Sequence, residues 1–171
     1  MGNPQALTAL VLAHQRSVYS LALRMLGLKD LAEDLAQDVF MQLNSNLQSI
    51  ESSEHLGFWL RRVTAFKAID QLRRRARLPT TSLDEEAHQY ADTDASDPLL
   101  QTHLARLLDC LSPQARAVML LRYQEDLDPT DIARTLDMPI NTVKSHLKRS
   151  LQIMRQKTPG AHLARPEDYS T

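Results

Sequence analysis

Apolar positions recur at helical spacing along most of the chain. Leu7, Leu10, Val11, Val18, Leu21, Ala22 and Met25, with His14, trace one side of a first helix, and Gly27 is placed to stop it. Leu31, Ala32, Leu35, Val39 and Leu43 form the apolar stripe of a second helix, for which Asp30 is the expected N-cap and Glu33 the capping-box residue. A third helix is predicted from about Glu54 to Arg77, ended by Leu78-Pro79. Phe58, Trp59, Val63, Ala65, Phe66, Ile69 and Leu72 make its apolar half; Arg61, Thr64, Lys67, Gln71, Arg74 and Arg75 make the other. Residues 79–98 are rich in Thr, Ser, Asp, Glu and Pro without periodicity and read as a flexible acidic linker. Further helices are predicted near 100–110, 113–125, 129–137 and 140–156, with Ser112 as a cap and Pro113 at a first helical position. Residues 158–171 read as a disordered tail. The pattern predicts an all-α chain of two small helical domains, 5–78 and 99–157, joined by the linker.

The last two predicted helices form the most informative stretch, Leu127 to Leu151. Ile132, Ala133 and Leu136 keep helical spacing, Asp137-Met138-Pro139 breaks it, and Val143, Leu147, Leu151 and Met154 resume it. At about 100° per residue those four share one stripe. Asn141, Ser145, Lys148, Arg149 and Gln152 fall opposite, flanked by Thr142 and Lys144. A helix with an apolar back and such a front, entered through a tight turn, suits the major groove of DNA. The same residues would also serve a solvated amphipathic hairpin.

Composition narrows the class. In 171 residues, 43% are apolar but only 5% aromatic, so a core would be mainly aliphatic. The N-terminus shows no secretory signal and no apolar run approaches a membrane span, so no membrane insertion and a cytoplasmic location are expected. The lone Cys110, with Leu107, Leu108 and Leu111 around it, excludes an internal disulfide and is expected to be a buried small residue. Asp84, Glu85, Glu86 and His88 could suggest a metal site, but they lie in the linker, and the other histidines show no ligand spacing. No phosphate-binding glycine loop or nucleophile elbow is present, so no catalytic residue, metal or cofactor is expected.

The net charge of −1 is unusual for a protein that holds DNA unaided. Charge is segregated, however. Arg61, Arg62, Lys67, Arg73, Arg74, Arg75 and Arg77 crowd one block, and Arg134, Lys144, Lys148, Arg149, Arg155 and Lys157 another, while residues 84–97 are acidic. Each basic block can attract phosphate locally, because screening acts over about 10 Å at moderate salt. Basic residues beside Trp59 and Phe66 suit single-stranded DNA, where bases stack and phosphates pair, although either aromatic could equally be core. Asp70 is placed to pair with Arg73 or Arg74. On the second helix Asp30, Glu33, Asp34, Gln37, Asp38 and Met41 face away from the stripe. That acidic face could dock a basic partner or be an ordinary solvated helix start.

Three blocks, LKDLAEDLAQDVFMQL, FWLRRVTAFKAIDQLRRRAR and LDCLSPQARAVMLLRYQEDLDPTDIARTLDMPINTVKSHLKR, resemble bacterial sigma factors of the extracytoplasmic-function (ECF) class. The resemblance implies a subunit that binds core RNA polymerase and directs it to promoters. Asp30, Glu33, Asp34, Gln37 and Asp38 would meet the clamp coiled coil of the large polymerase subunit, and the second domain the flap region. Trp59, Arg61, Arg62, Lys67, Arg73, Arg74 and Arg75 would handle the minus-ten element, and Asn141, Thr142, Lys144, Ser145, Lys148 and Arg149 the minus-thirty-five element. An anti-sigma factor is a further implied partner. Departures from the family pattern are Phe66, where Asn is frequent, Asp137 and Asn141, where Gly is frequent, and His146, where Arg is frequent. SPQARAVMLL and TVKSHL also look like the DNA-binding domain of stand-alone activators of the response-regulator type, which carry a different, strand-containing upstream half.

Overall fold

The computed structural model describes residues 4–77 and 97–158. Among these there are seven α-helices and no strand. The N-terminal half holds α1 (Pro4–Leu26), α2 (Lys29–Asn46) and α3 (Ser53–Arg77), with a 3-10 turn at Leu47–Ser49. The C-terminal half holds α4 (Pro98–Asp109), α5 (Pro113–Tyr123), α6 (Pro129–Leu136) and α7 (Ile140–Lys157). Asp97 and Pro98, expected in the linker, are instead the N-cap and first residue of α4. The rest of the expected linker, with Asp84, Glu85, Glu86 and His88, and all of the expected tail after Thr158 lie outside the described residues.

Local chemistry sets the helix ends. Gly27 adopts φ 77°, and its N–H bonds to the Leu23 carbonyl at 2.8 Å, closing α1 as expected. In the C-terminal half one device recurs: a capping side chain followed by proline. Asp97 accepts from the Leu99 N–H, Ser112 from Ala115 and Asp128 from Asp131, ahead of Pro98, Pro113 and Pro129. Asp30 is not the N-cap of α2. Leu28 holds the extended cap conformation without a side-chain bond, and Asp30 already lies in the first helical turn. The short connection through Gly27 starts the helix earlier, and Asp30 faces the positive end of the helix dipole instead.

Val18, Leu21, Ala22 and Met25 of α1 pack with Ala32, Leu35, Val39 and Leu43 of α2, and with Leu56, Leu60, Ala65 and Ile69 of α3. Val118, Leu121, Ile132, Leu136, Val143, Leu147 and Met154 continue the same buried cluster into the C-terminal half. The halves meet where α3 packs on α5 and α6 and α1 packs on α5. On α3 one expectation is reversed and one open alternative is decided. Thr64 is fully buried, because it follows Leu56 and Leu60 at four-residue spacing and its hydroxyl donates to the Leu60 carbonyl at 2.7 Å. Phe66 is 39% exposed. Cys110 is exposed rather than buried, since it lies one residue past α4, and Leu108 and Leu111 take the inward positions.

Candidate nucleic-acid interface

The two-helix unit α6–α7 depends on its turn. Asp137 takes the left-handed conformation, φ 52° and ψ 50°, and its N–H bonds to the Ala133 carbonyl. Pro139 then leads directly into α7, with the Thr142 and Val143 N–H groups on the Pro139 carbonyl. Ile132 and Leu136 of α6 and Val143, Leu147 and Met154 of α7 are buried, as their spacing predicts. Asn141, Thr142, Lys144, Ser145, Lys148 and Arg149 are all exposed. Amide, hydroxyl and cationic groups therefore stand together on one rigid face, able to reach base edges and phosphates. His146 is half-buried between this face and the core; burial, and then the neighbouring Arg149 charge, hold its pKa below the usual histidine value.

The basic residues of α3 do not act as one series. Arg73 and Arg74 are exposed near its C-terminal end, and Arg74 pairs with Asp70 at 2.6 Å, one of the two pairings expected. Arg75 is half-buried, and Lys67 lies 3.8 Å from Asp38 of α2. Trp59 is half-buried against the core, whereas Phe66 is open to solvent with the Arg62 guanidinium 5.0 Å from its ring centre. Arg61 and Arg62 turn toward the C-terminal half. Arg61 Nε meets Glu125 Oε2 at 3.3 Å, and Arg62 Nη1 donates to the Arg134 and Thr135 carbonyls, each at 3.1 Å.

On α2, Asp30, Glu33, Asp34, Gln37 and Asp38 are exposed along one face, with Met41 63% exposed beside them. Ala32, Leu35, Val39 and Leu43 hold the opposite side in the core. This face offers carboxylates around one apolar side chain, complementary to a basic protein surface.

The Sigma-70 region 2 family model matches residues 10–78, and the Sigma-70 region 4 model matches residues 102–154. Two regions of one protein class, in order, cover the acidic face, the basic-aromatic helix and the helix-turn-helix. The chain belongs to the sigma-70 family. Within it, the similarities are to ECF sigma factors. The chain is 33% identical over 152 residues to the ECF RNA polymerase sigma factor SigE of Mycolicibacterium smegmatis, a match covering 85% of this chain and 59% of SigE. It is 28% identical to the RNA polymerase sigma factor SigV of Bacillus subtilis, covering 83% of this chain and 84% of SigV. In fold it resembles the sigma factor RpoE bound to the anti-sigma factor NepR from Bartonella quintana (TM-score 0.67, 24% identity, 87% of this chain and 94% of RpoE). It equally resembles CnrH bound to the cytosolic domain of CnrY (TM-score 0.67, 20% identity, 91% of this chain and 89% of CnrH). A sigma factor directs RNA polymerase to promoters, and the stand-alone activator reading is not favoured, because the upstream half is region 2.

Several residues with a place in the sigma factor's architecture escape a reading of periodicity. Arg116 is buried yet charged, with Nη1 on the Met25 carbonyl at 2.7 Å, Nε on the Leu108 carbonyl at 3.0 Å and Nη2 on Asp109 at 3.0 Å. Glu125, in the turn after α5, is the partner of Arg61, and Arg134 lies 5.9 Å from the Phe58 ring centre. Their partners are distant in sequence, so spacing carries no signal of them. No helix among the described residues is long and apolar enough to cross a membrane, and no group of His, Cys, Asp and Glu there could hold a metal ion.

Proposed function

We propose that the chain is a dissociable, non-catalytic specificity subunit that works in the cytoplasm. Core polymerase supplies the chemistry and most of the DNA affinity; this chain supplies base readout and strand capture. The observation that carries this reading is the separation of three chemistries: an exposed acidic face on α2, a basic-aromatic helix α3 on which Phe66, Arg73 and Arg74 are exposed, and an exposed polar-basic face on α7. In this reading residues 5–78 and 99–157 are the two working units. Asp30, Glu33, Asp34, Gln37 and Asp38 dock the clamp coiled coil, and the second unit docks the flap region. Trp59, Arg61, Arg62, Lys67, Arg73, Arg74 and Arg75 hold the minus-ten strand. Asn141, Thr142, Lys144, Ser145, Lys148 and Arg149 read the minus-thirty-five duplex. Unstacking promoter bases costs a few kcal/mol, and aromatic and cationic contacts of about 1–3 kcal/mol per base offset it.

An anti-sigma partner belongs to the same proposal. RpoE is held by an anti-sigma factor in its complex. In this chain an apolar cleft of about 520 Å³, lined by Leu104, Leu107, Met119, Leu120, Leu151 and Met154, offers a seat for an apolar helix face.

Selection of a random duplex library by the chain assembled with core polymerase of its own bacterium tests the proposal. A two-part promoter motif is the expected yield, and no enrichment over core polymerase alone would refute it. Asp34→Arg should weaken core binding by about tenfold or more. Lys148→Ala with Arg149→Ala should leave core binding intact and cost about 1–3 kcal/mol at the upstream element.

A further inference from the structure

Phe66 is 39% exposed on the basic-aromatic helix, whereas Trp59 packs half-buried against the core. Thr64, Ala65, Ala68 and Ile69 take the inward positions around it, so the ring falls on the outer side of α3. There it has cationic neighbours. Arg62, one turn earlier, holds its guanidinium 5.0 Å from the ring centre, and Arg73, two turns later, is exposed on the same side. A planar apolar surface set between cations matches an unpaired nucleic-acid strand, whose bases stack while its phosphates pair. The phenyl side chain has no hydrogen-bond donor or acceptor, so it cannot read a base edge. Every base has a π-face, so the ring can take any of the four. We infer that Phe66 stacks on one unpaired base of the minus-ten strand and makes that promoter position permissive in sequence. This rests on the proposed minus-ten role of α3. It adds to that role the contact that replaces the stacking a base loses when the strands part. Sequence discrimination in the minus-ten element then comes from positions other than the one held at Phe66.

The test uses the full chain assembled with core polymerase and a probe made from the promoter selected as above, duplex upstream with an unpaired minus-ten strand. Each minus-ten base is removed in turn, leaving an abasic nucleotide. In the wild type, removal at one position should weaken binding by about five- to hundredfold. Phe66→Ala should weaken binding of the intact probe by a similar factor, and the same removal should then cost nothing further. Removals elsewhere should cost both proteins equally. Phe66→Trp should keep wild-type binding, and Phe66→Leu, apolar but without a π-face, should behave as Phe66→Ala. Core polymerase affinity and far-UV circular dichroism should be unchanged throughout, since the ring lies at the surface. At the coupled position the four bases should bind the wild type within about fivefold of one another. Wild-type binding by Phe66→Leu would overturn stacking, and a coupled position that accepts one base alone would overturn the permissive reading. Arg73→Ala with Arg74→Ala separates this inference from the minus-ten role. If that pair weakens probe binding while no position couples to Phe66, the stacking contact falls and the minus-ten role of α3 stands. If neither change matters, the minus-ten role falls with it.

Discussion

His146 shows how one side chain can be tuned by its seat. It sits beside Lys148 and Arg149 on α7, the helix proposed to face DNA, but is half-buried, so burial and the Arg149 charge both oppose its protonation. The ring is therefore less ready than an ordinary histidine to add charge to that face. The unfolded chain takes up this proton near the ordinary value of 6.5, and the folded chain only at lower pH. The stability it contributes is thus complete above pH 6.5 and declines as pH falls through the folded value. Thermal melts of wild type and His146→Gln from neutral to mildly acidic pH should show a steeper decline in the wild type. Parallel curves would mean that the ring is not desolvated as described. Thr64 makes a related point about burial. A hydroxyl can occupy the fully buried α3 position because the preceding turn accepts its proton, so burial follows local satisfaction as much as polarity.

At the scale of elements, the α6–α7 turn carries the clearest test. Asp137 pays a left-handed backbone penalty that glycine would avoid, so Asp137→Gly should stabilise the chain by about 0.5–1 kcal/mol. A melting temperature raised by roughly 1–4 °C in calorimetry would show it; a fall would mean that the Asp side chain holds the turn. Such turns were legible because breakers and caps act within a few residues. Gly27, Ser112-Pro113 and Asp137-Met138-Pro139 each mark a helix end that the chain adopts. The α7 front was legible too, since a stripe of Val143, Leu147 and Met154 fixes what must face outward. The face of α3 is less legible from spacing. It packs on helices from both halves, so Leu56, Leu60 and Thr64 are enclosed and Phe66, assigned to the apolar half, is left open. At α2 Asp30 has the chemistry of a cap, but Leu28 already has the cap's backbone conformation.

For the whole molecule, the question is how two sigma regions become one folded unit. Their cores are continuous, and Arg116 is a buried polar link between them. Replacing it with methionine, Arg116→Met, nearly keeps the volume but removes the guanidinium from the Met25 carbonyl, and from the Leu108 carbonyl, which keeps the Leu111 N–H. The cost should be about 3 kcal/mol, a melting temperature lower by roughly 6–12 °C. The single transition should also broaden or split as the halves uncouple, which scanning calorimetry would resolve. An unshifted single transition would assign the coupling to apolar packing alone. Both Arg116 and Arg62 reach across to main-chain carbonyls rather than to side chains. A carbonyl is present whatever residue bears it. Arg134 and Thr135 can change identity through mutation without removing the groups that Arg62 grips. Exposed side chains of α6 such as Arg134 can therefore change over generations, while the fastening between the halves is inherited intact.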